Sequence, residues 1–135
     1  MIYLPPVNRS ALLAAISEAD IVLNSSRTEG QCGAIMEAMA LGTPVLARCN
    51  RGNCDLIGNG EDRGGLFKTA KECFKKVETG WYDKRMGWQQ TPSPRVQART
   101  SAALEFIKGN HNSEKEAIAY RELILKVTTR RENSD

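Results

Sequence analysis

Residues 21–48 read IVLNSSRTEGQCGAIMEAMALGTPVLAR, and the order of textures inside this stretch decides the fold. Ile21 to Asn24 is a continuous apolar run bounded by polar residues, the form expected of a strand buried on both faces of a parallel sheet. A loop, Ser25 to Gln31, follows it. "GAIMEAMAL", Gly33 to Leu41, is rich in Ala, Met, Leu and Glu, all strong helix formers, and Gly42 followed by Pro44 predicts where that helix stops. "PVLA", Pro44 to Ala47, is the next buried strand. Strand, loop, helix and strand with short connections make a βαβ unit, whose right-handed crossover lays the helix on one face of a parallel sheet.

The same grammar extends both ways. Upstream, "MIYL" before Pro5-Pro6 predicts a short strand ended by a rigid turn. A strand so near the first residue needs neighbours, which is the pattern of a fragment or a truncated chain. "NRSALLAAISEAD" predicts a helix with Ser10 as its N-cap and Leu12, Leu13, Ile16 and Ala19 at helical spacing. Downstream, Gly65 to Phe67 reads as a further strand. A helix from Thr69 to about Val77 follows, with Lys68, Lys71, Lys75 and Lys76 read as a solvated face. "ETGWYDKRMGWQQTPS" then breaks the pattern and predicts a connector over residues 79–93. Pro94 opens a helix that Gly109 is expected to interrupt. Ser113 with Glu116 predicts the capping box of a last helix carrying Ile118, Leu123, Leu125 and Val127, so that residues 94–129 are closing helices and 130–135 a frayed tail. The expected fold class is α/β: a parallel sheet flanked by helices over residues 1–78, then the closing helices.

The totals narrow the classes of function. At 135 residues, with 41% hydrophobic and 26% charged content, the chain reads as one modest soluble domain. A net charge of +3 spread along the chain gives no reason to expect nucleic acid or a membrane surface as partner. No apolar run reaches the roughly 18–20 residues of an integral membrane segment. Cys32, Cys49, Cys54 and Cys73 form no C-x-x-C pair and His111 stands apart from them, so neither a metal nor another cofactor is expected. Free thiols without a signal peptide predict a reducing, cytoplasmic location.

In open α/β sheets ligands gather at the carboxyl ends of strands, which places a site on the loop after Ile21–Asn24. Gly30 and Gly33 let backbone approach a ligand. The amides of Gln31, Cys32, Gly33 and Ala34 begin a helix, where unpaired N–H groups and the dipole favour an anion or a hydroxyl-rich group. Glu29 precedes this turn and Glu37 lies one helical turn past Gly33. Two acceptor carboxylates flanking a set of donors suit a sugar. The plainer alternative is that both glutamates are solvated and both glycines serve only the turn.

"TEGQCGAIMEAMALGTPVLAR" resembles the E-G-x-G-x-x-x-x-E-A-x-A-x-G-x-P-V signature of retaining GT-B glycosyltransferases, the glycosyl transferases group 1. "AISEADIVLNSS" before it and "NRGNCDLIGNGEDRGGLF" after it fit the same framework. "GTPVLAR" with "RGN", and the ending "ALEFIKGNHNSEKEAIAYRELI", look most like the animal glycosyltransferase 1 domain-containing proteins. The resemblance implies the later half of a Rossmann-like, nucleotide-sugar-binding domain. It makes Glu29 the catalytic candidate, touching sugar hydroxyls near the anomeric centre and stabilising charge there. It makes Gly30, Gln31, Cys32, Gly33 and Ala34 the cradle of sugar and distal phosphate, and Glu37 the acceptor for the ribose, with "LPPV" near the base.

The implied reaction is metal-independent transfer of a sugar from a nucleotide-diphosphate sugar to an unknown acceptor, the leaving diphosphate being met by amides and basic side chains. Two departures stand out. Gln31 and Cys32 replace an aromatic residue that many relatives carry, and Arg51-Gly52-Asn53-Cys54-Asp55 stands where relatives often show G-G-x-x-E. The resemblance covers residues 1 to about 75 well and leaves the N-terminal GT-B domain as a missing partner. The isolated chain is therefore expected to be inactive in transfer. The alternative function is a catalytically silent isoform or fragment acting as a weak nucleotide-sugar-binding or interaction module.

Overall fold

Three short strands pair in parallel in the order β1-β2-β3: β1 Val22–Asn24, β2 Val45–Arg48 and β3 Gly65–Phe67. The computed structural model describes residues 5–81 and 92–111 together with Ile118. Val22 lies opposite Val45 and Leu46 opposite Gly65, so each strand's two-residue alternation feeds both faces of the sheet. Val45, Ala47 and Leu66 face a core that also buries Ile16, Ile35, Ala38, Met39, Leu56, Ile57, Ala103 and Ile107. Leu46 and Phe67 point the other way, to a smaller cluster with Val96. A strand buried on both faces has no polar alternation, which is why VLAR and GLF read as apolar runs.

The helices are α1 Arg9–Ser17, α2 Gly33–Ala40, α3 Arg51–Ile57, α4 Ala70–Lys76 and α5 Pro94–Asn110, with a π-helical extension of α4 over Val77–Trp81. The chain is thus an α/β protein with a Rossmann-like parallel sheet flanked by helices. α2 ends as its sequence predicts. Gly42 sits at φ 72°, and the amides of Gly42 and Thr43 return to the carbonyls of Met39 and Ala38, the paired bonds of a Schellman stop. α5 gives Val96 to the smaller cluster and Ala103 and Ile107 to the larger, so it packs into both cores rather than standing apart.

Several expectations are corrected. Asn8, not Ser10, caps α1, its Oδ1 accepting from the Ala11 amide at 2.8 Å, which leaves Ser10 inside the first turn. Gly109 does not interrupt α5, which runs through it to Asn110. Residues 51–57, read only as a departure from a motif, form α3, capped by Asn50 Oδ1 on the Asn53 amide at 2.9 Å. The first residues of the expected connector continue α4 as the π-helical turn. Lys76 is not part of a solvated face: it is half-buried, ion-paired with Glu61, and donates to the Leu66 carbonyl at 2.6 Å. The expected opening strand at residues 2–4 and the expected last helix fall outside the described residues, Ile118 apart.

Glu61 closes the outer side of β3. Its carboxylate accepts the Leu66 amide at 3.0 Å and pairs with Lys76 and, at 2.9 Å, with Arg99 of α5. Burial opposes ionisation of Glu61, but Lys76, the Leu66 amide and Arg99 outweigh it and hold the carboxyl below its ordinary value. Among the described residues Glu61 alone, apart from glycines, has a left-handed backbone, at φ 57°. Arg63 works on the neighbouring helix end. It donates to the carbonyls of Leu56 and Asp55 at 2.7 and 3.0 Å, and lies 4.0 Å over the ring of Phe106 from α5.

Candidate functional site

The loop between β1 and α2 is organised by the last residue of β1. Asn24 accepts the Ser26 amide at 3.1 Å on Oδ1, and its Nδ2 donates to Glu29 Oε1 at 3.4 Å and Cys32 Sγ at 3.2 Å. One side-chain amide therefore bridges both ends of the turn. A second amide supports the first: Asn53, fully buried in α3, donates Nδ2 to Asn24 Oδ1 at 3.3 Å and to the Arg48 carbonyl at 2.9 Å. Asn53 Oδ1 has no partner among the described residues. Asn50 adds a third tie, from its Nδ2 to the Ser26 carbonyl at 3.1 Å.

Backbone contact completes the support. A methyl group placed on Gly52 would stand 2.0 Å from the Gly30 carbonyl oxygen and 2.5 Å from that of Glu29. The first turn of α3 thus presses directly on the Glu29–Gly30 peptide, and only a residue without a Cβ allows it. At Gly30 and Gly33, by contrast, an added methyl meets nothing within 4 Å. Those two glycines border open space on the side away from α3.

The start of α2 differs from three other helix starts. Asn8, Asn50 and Thr69 each place a side-chain oxygen on an amide of their helix, whereas Cys32 at the start of α2 makes no such bond. Its thiol turns into the core instead. The first intrahelical bond of α2 is Met36 N–H to the Cys32 carbonyl, so the amides of Gly33, Ala34 and Ile35 lie ahead of the helical ladder. With no side-chain cap, that end of the dipole is left to attract an acceptor.

The two glutamates are placed differently. Glu29 is half-buried and held by Asn24 at the loop. Glu37 stands on α2 and pairs through Oε1 with Arg9 Nη2 of α1 at 2.8 Å, with Glu37 26% and Arg9 77% exposed. An ion pair that open is worth at most about 1 kcal/mol, so a competing hydroxyl displaces it readily. Gln31 is exposed and its Nε2 lies 3.4 Å from His111 Nδ1 at the end of α5. Phe106 meets the same imidazole edge-on. Arg27, Arg48 and Arg51 follow or end β1 and β2, so cationic residues belong to the same carboxyl ends as the loop. Sequence reading missed Asn24, Asn53 and Gly52. The signal for Asn24 was its polarity at the end of an apolar run, whereas Gly52 and Asn53 stood in the RGN segment with nothing local to show that it presses on the loop.

A carboxyl-end loop, an uncapped helix start and two glutamates thus stand together at one end of the sheet, the end at which open α/β sheets generally take their ligands. The profile of the family described as glycosyl transferases group 1 matches residues 1–78. The chain belongs to this family. It is 36% identical over 119 residues to glycosyltransferase 1 domain-containing protein 1 of Xenopus tropicalis, a match covering 88% of this chain and 32% of that protein. The chain therefore spans about a third of the length of this relative. Among the described residues no helix is long and apolar enough to cross a membrane, and no three or more His, Cys, Asp or Glu side chains group as a metal site.

Proposed function

We propose that the loop and the start of α2 hold the sugar and diphosphate of a nucleotide-sugar donor, in a protein that transfers the sugar to an acceptor. The observation that carries this reading is the uncapped start of α2 beside Glu29, held in place by α3. The amides of Gly33, Ala34 and Ile35 face an anion. Glu29, steadied by Asn24, accepts from sugar hydroxyls near the anomeric carbon, and Glu37 exchanges Arg9 for the ribose. As the donor bond breaks, charge gathers on the diphosphate. The α2 amides meet that charge without having to reorganise, which is how fixed dipoles lower a barrier, and Arg27, Arg48 and Arg51 of the same strand ends add positive charge nearby. Glu29 stabilises the electron-poor sugar and orients it. The acceptor side lies on a partner GT-B domain that this reading requires.

A second reading of the 135 residues taken alone is donor binding without transfer, as a module. Calorimetry with uridine, guanosine and adenosine diphosphate sugars tests the common part. Millimolar binding of one of them, weakened about tenfold by Glu29→Ala or Glu37→Ala, is expected. Absence of heat for all three at millimolar donor removes the reading. Sugar turnover by the purified chain decides between the two versions in favour of the enzyme.

A further inference from the structure

Cys49 follows β2 and Cys54 begins the second turn of α3. With Asn50 as the cap, they occupy the positions immediately before the cap and four residues into the helix, whose side chains meet across a helix start. An apolar pair usually fills these positions. Here two thiols fill them, with Sγ to Sγ at 3.1 Å, about 1 Å longer than a disulfide bond. Backbone bonds fix both ends: the Cys49 amide donates to the Phe67 carbonyl at 2.7 Å and the Cys54 amide to Asn50 at 2.9 Å. Both cysteines line a cavity of about 390 Å³, together with Leu66, Lys68 and Glu72, so a small reagent reaches them. Cys32 is buried against Asn24, and Cys73 packs with Leu46 on the other face of the sheet.

We propose that Cys49 and Cys54 are a thiol–disulfide pair which a low-molecular-weight disulfide oxidises to a covalent staple across the start of α3. The Cys49 thiolate attacks one sulfur of the small disulfide and expels a thiolate. Cys54 then gives its proton to a leaving thiolate and attacks Cys49 sulfur, releasing the second small thiol. One protein S–S bond forms, one small-molecule S–S bond breaks, and two protein S–H bonds are exchanged for two small-thiol S–H bonds. Burial, followed by the hydrogen bond and charge of Cys49, pushes the Cys54 thiol up to about 11, in keeping with first attack by Cys49. The staple bears on the candidate site because the first turn of α3, through Gly52, Asn50 and Asn53, is the support of the Glu29–Gly30 peptide.

The test is equilibration of the purified chain with oxidised glutathione, acid quench, alkylation and tryptic mapping. Cleavage after Arg48, Arg51 and Arg63 places Cys49 and Cys54 on different peptides, 49–51 and 52–63, so their bond appears as a cross-linked pair. That pair is expected, reversed by dithiothreitol, with Cys32 and Cys73 alkylated throughout. Cys54→Ser is expected to accumulate glutathione on Cys49. Amide exchange over residues 26–33 is expected to slow about threefold or more in the oxidised chain. Full alkylation of Cys49 and Cys54 after oxidation, or bonds joining them to Cys32 or Cys73, overturns the pairing. A cross-link that leaves exchange over residues 26–33 unchanged overturns the link to the loop.

Discussion

Replacing Gly52 by alanine puts one methyl group into the contact on which the loop rests. A carbon meets a carbonyl oxygen at about 3.3 Å or more. A Cβ built at Gly52 stands 2.0 Å from the Gly30 oxygen, so that carbonyl has to retreat by about 1.3 Å or α3 has to lift by as much. Neither atom is the free end of a flexible side chain, so relief comes from backbone. Overpacking costs about 1–3 kcal/mol, and a contact this short against backbone belongs at the upper end, about 2–3 kcal/mol. Alanine in a helix returns up to about 1 kcal/mol relative to glycine, so a net loss of about 1–2 kcal/mol remains. At this chain length that lowers Tm by about 4–8 °C. Donor binding is expected to fall about tenfold, since an ångström of misplacement in a positioning group is felt strongly. Gly33→Ala is the control. Its methyl group meets open space, so Tm holds or rises slightly while donor binding weakens. Thermal unfolding by circular dichroism reads the first effect and calorimetry with donor the second. A Gly52→Ala chain as stable as the parent, or more stable, would mean that helix propensity decides and that α3 does not press on the loop.

Removing the charge at Glu61 is expected to change how stability depends on acidity. The folded carboxyl lies below its ordinary value of 4.5, so its contribution is complete above that value and is lost as pH falls through the folded value. In a Tm series from neutral pH to about pH 3, Glu61→Gln should start lower and fall less steeply below 4.5; parallel curves would refute the role of the ion pairs. Glu61→Gly should be about 1 kcal/mol more stable than Glu61→Ala, because only glycine sits at φ 57° without strain, and equal urea midpoints would contradict this. Asn24→Ala strips two donors and one acceptor from the loop and is expected to cost about 2 kcal/mol in chemical denaturation and to weaken donor binding. Unchanged values of both would show that Glu29 and Cys32 do not depend on it.

The strands and α2 were legible because their signals are local. A strand buried on both faces leaves an apolar run, and a Gly-x-Pro stop leaves its residues in place. α3 was illegible for the opposite reason. Seven residues with a glycine and no apolar period carry no helical signature, and the helix forms because Asn50 caps it, Leu56 and Ile57 reach the core, and Arg63 holds its last carbonyls. The candidate site divides in the same way. Glu29, Glu37 and the glycines are visible as spacing along the chain, whereas Asn53 acts on Asn24 across 29 residues and Gln31 meets His111 across 80. Lys76 looked solvated because its partner, Glu61, lies 15 residues earlier in a loop without pattern. Asn8 and Ser10 are both good caps, and only the direction of the incoming chain chooses between them.

The Glu61 cluster also bears on how readily another strand can add to β3. In a strand of three residues, Leu66 is the one whose amide and carbonyl face away from β2, and both are occupied, by Glu61 and Lys76. A stray strand arriving at β3 finds no free ladder and has to displace an ion pair to make one. The charges act as a gatekeeper against edge-to-edge aggregation, a task that sheets elsewhere give to bulges, prolines or outward lysines. Variants chosen to simplify Glu61 would then differ from the parent less in activity than in how long they remain monodisperse at high concentration.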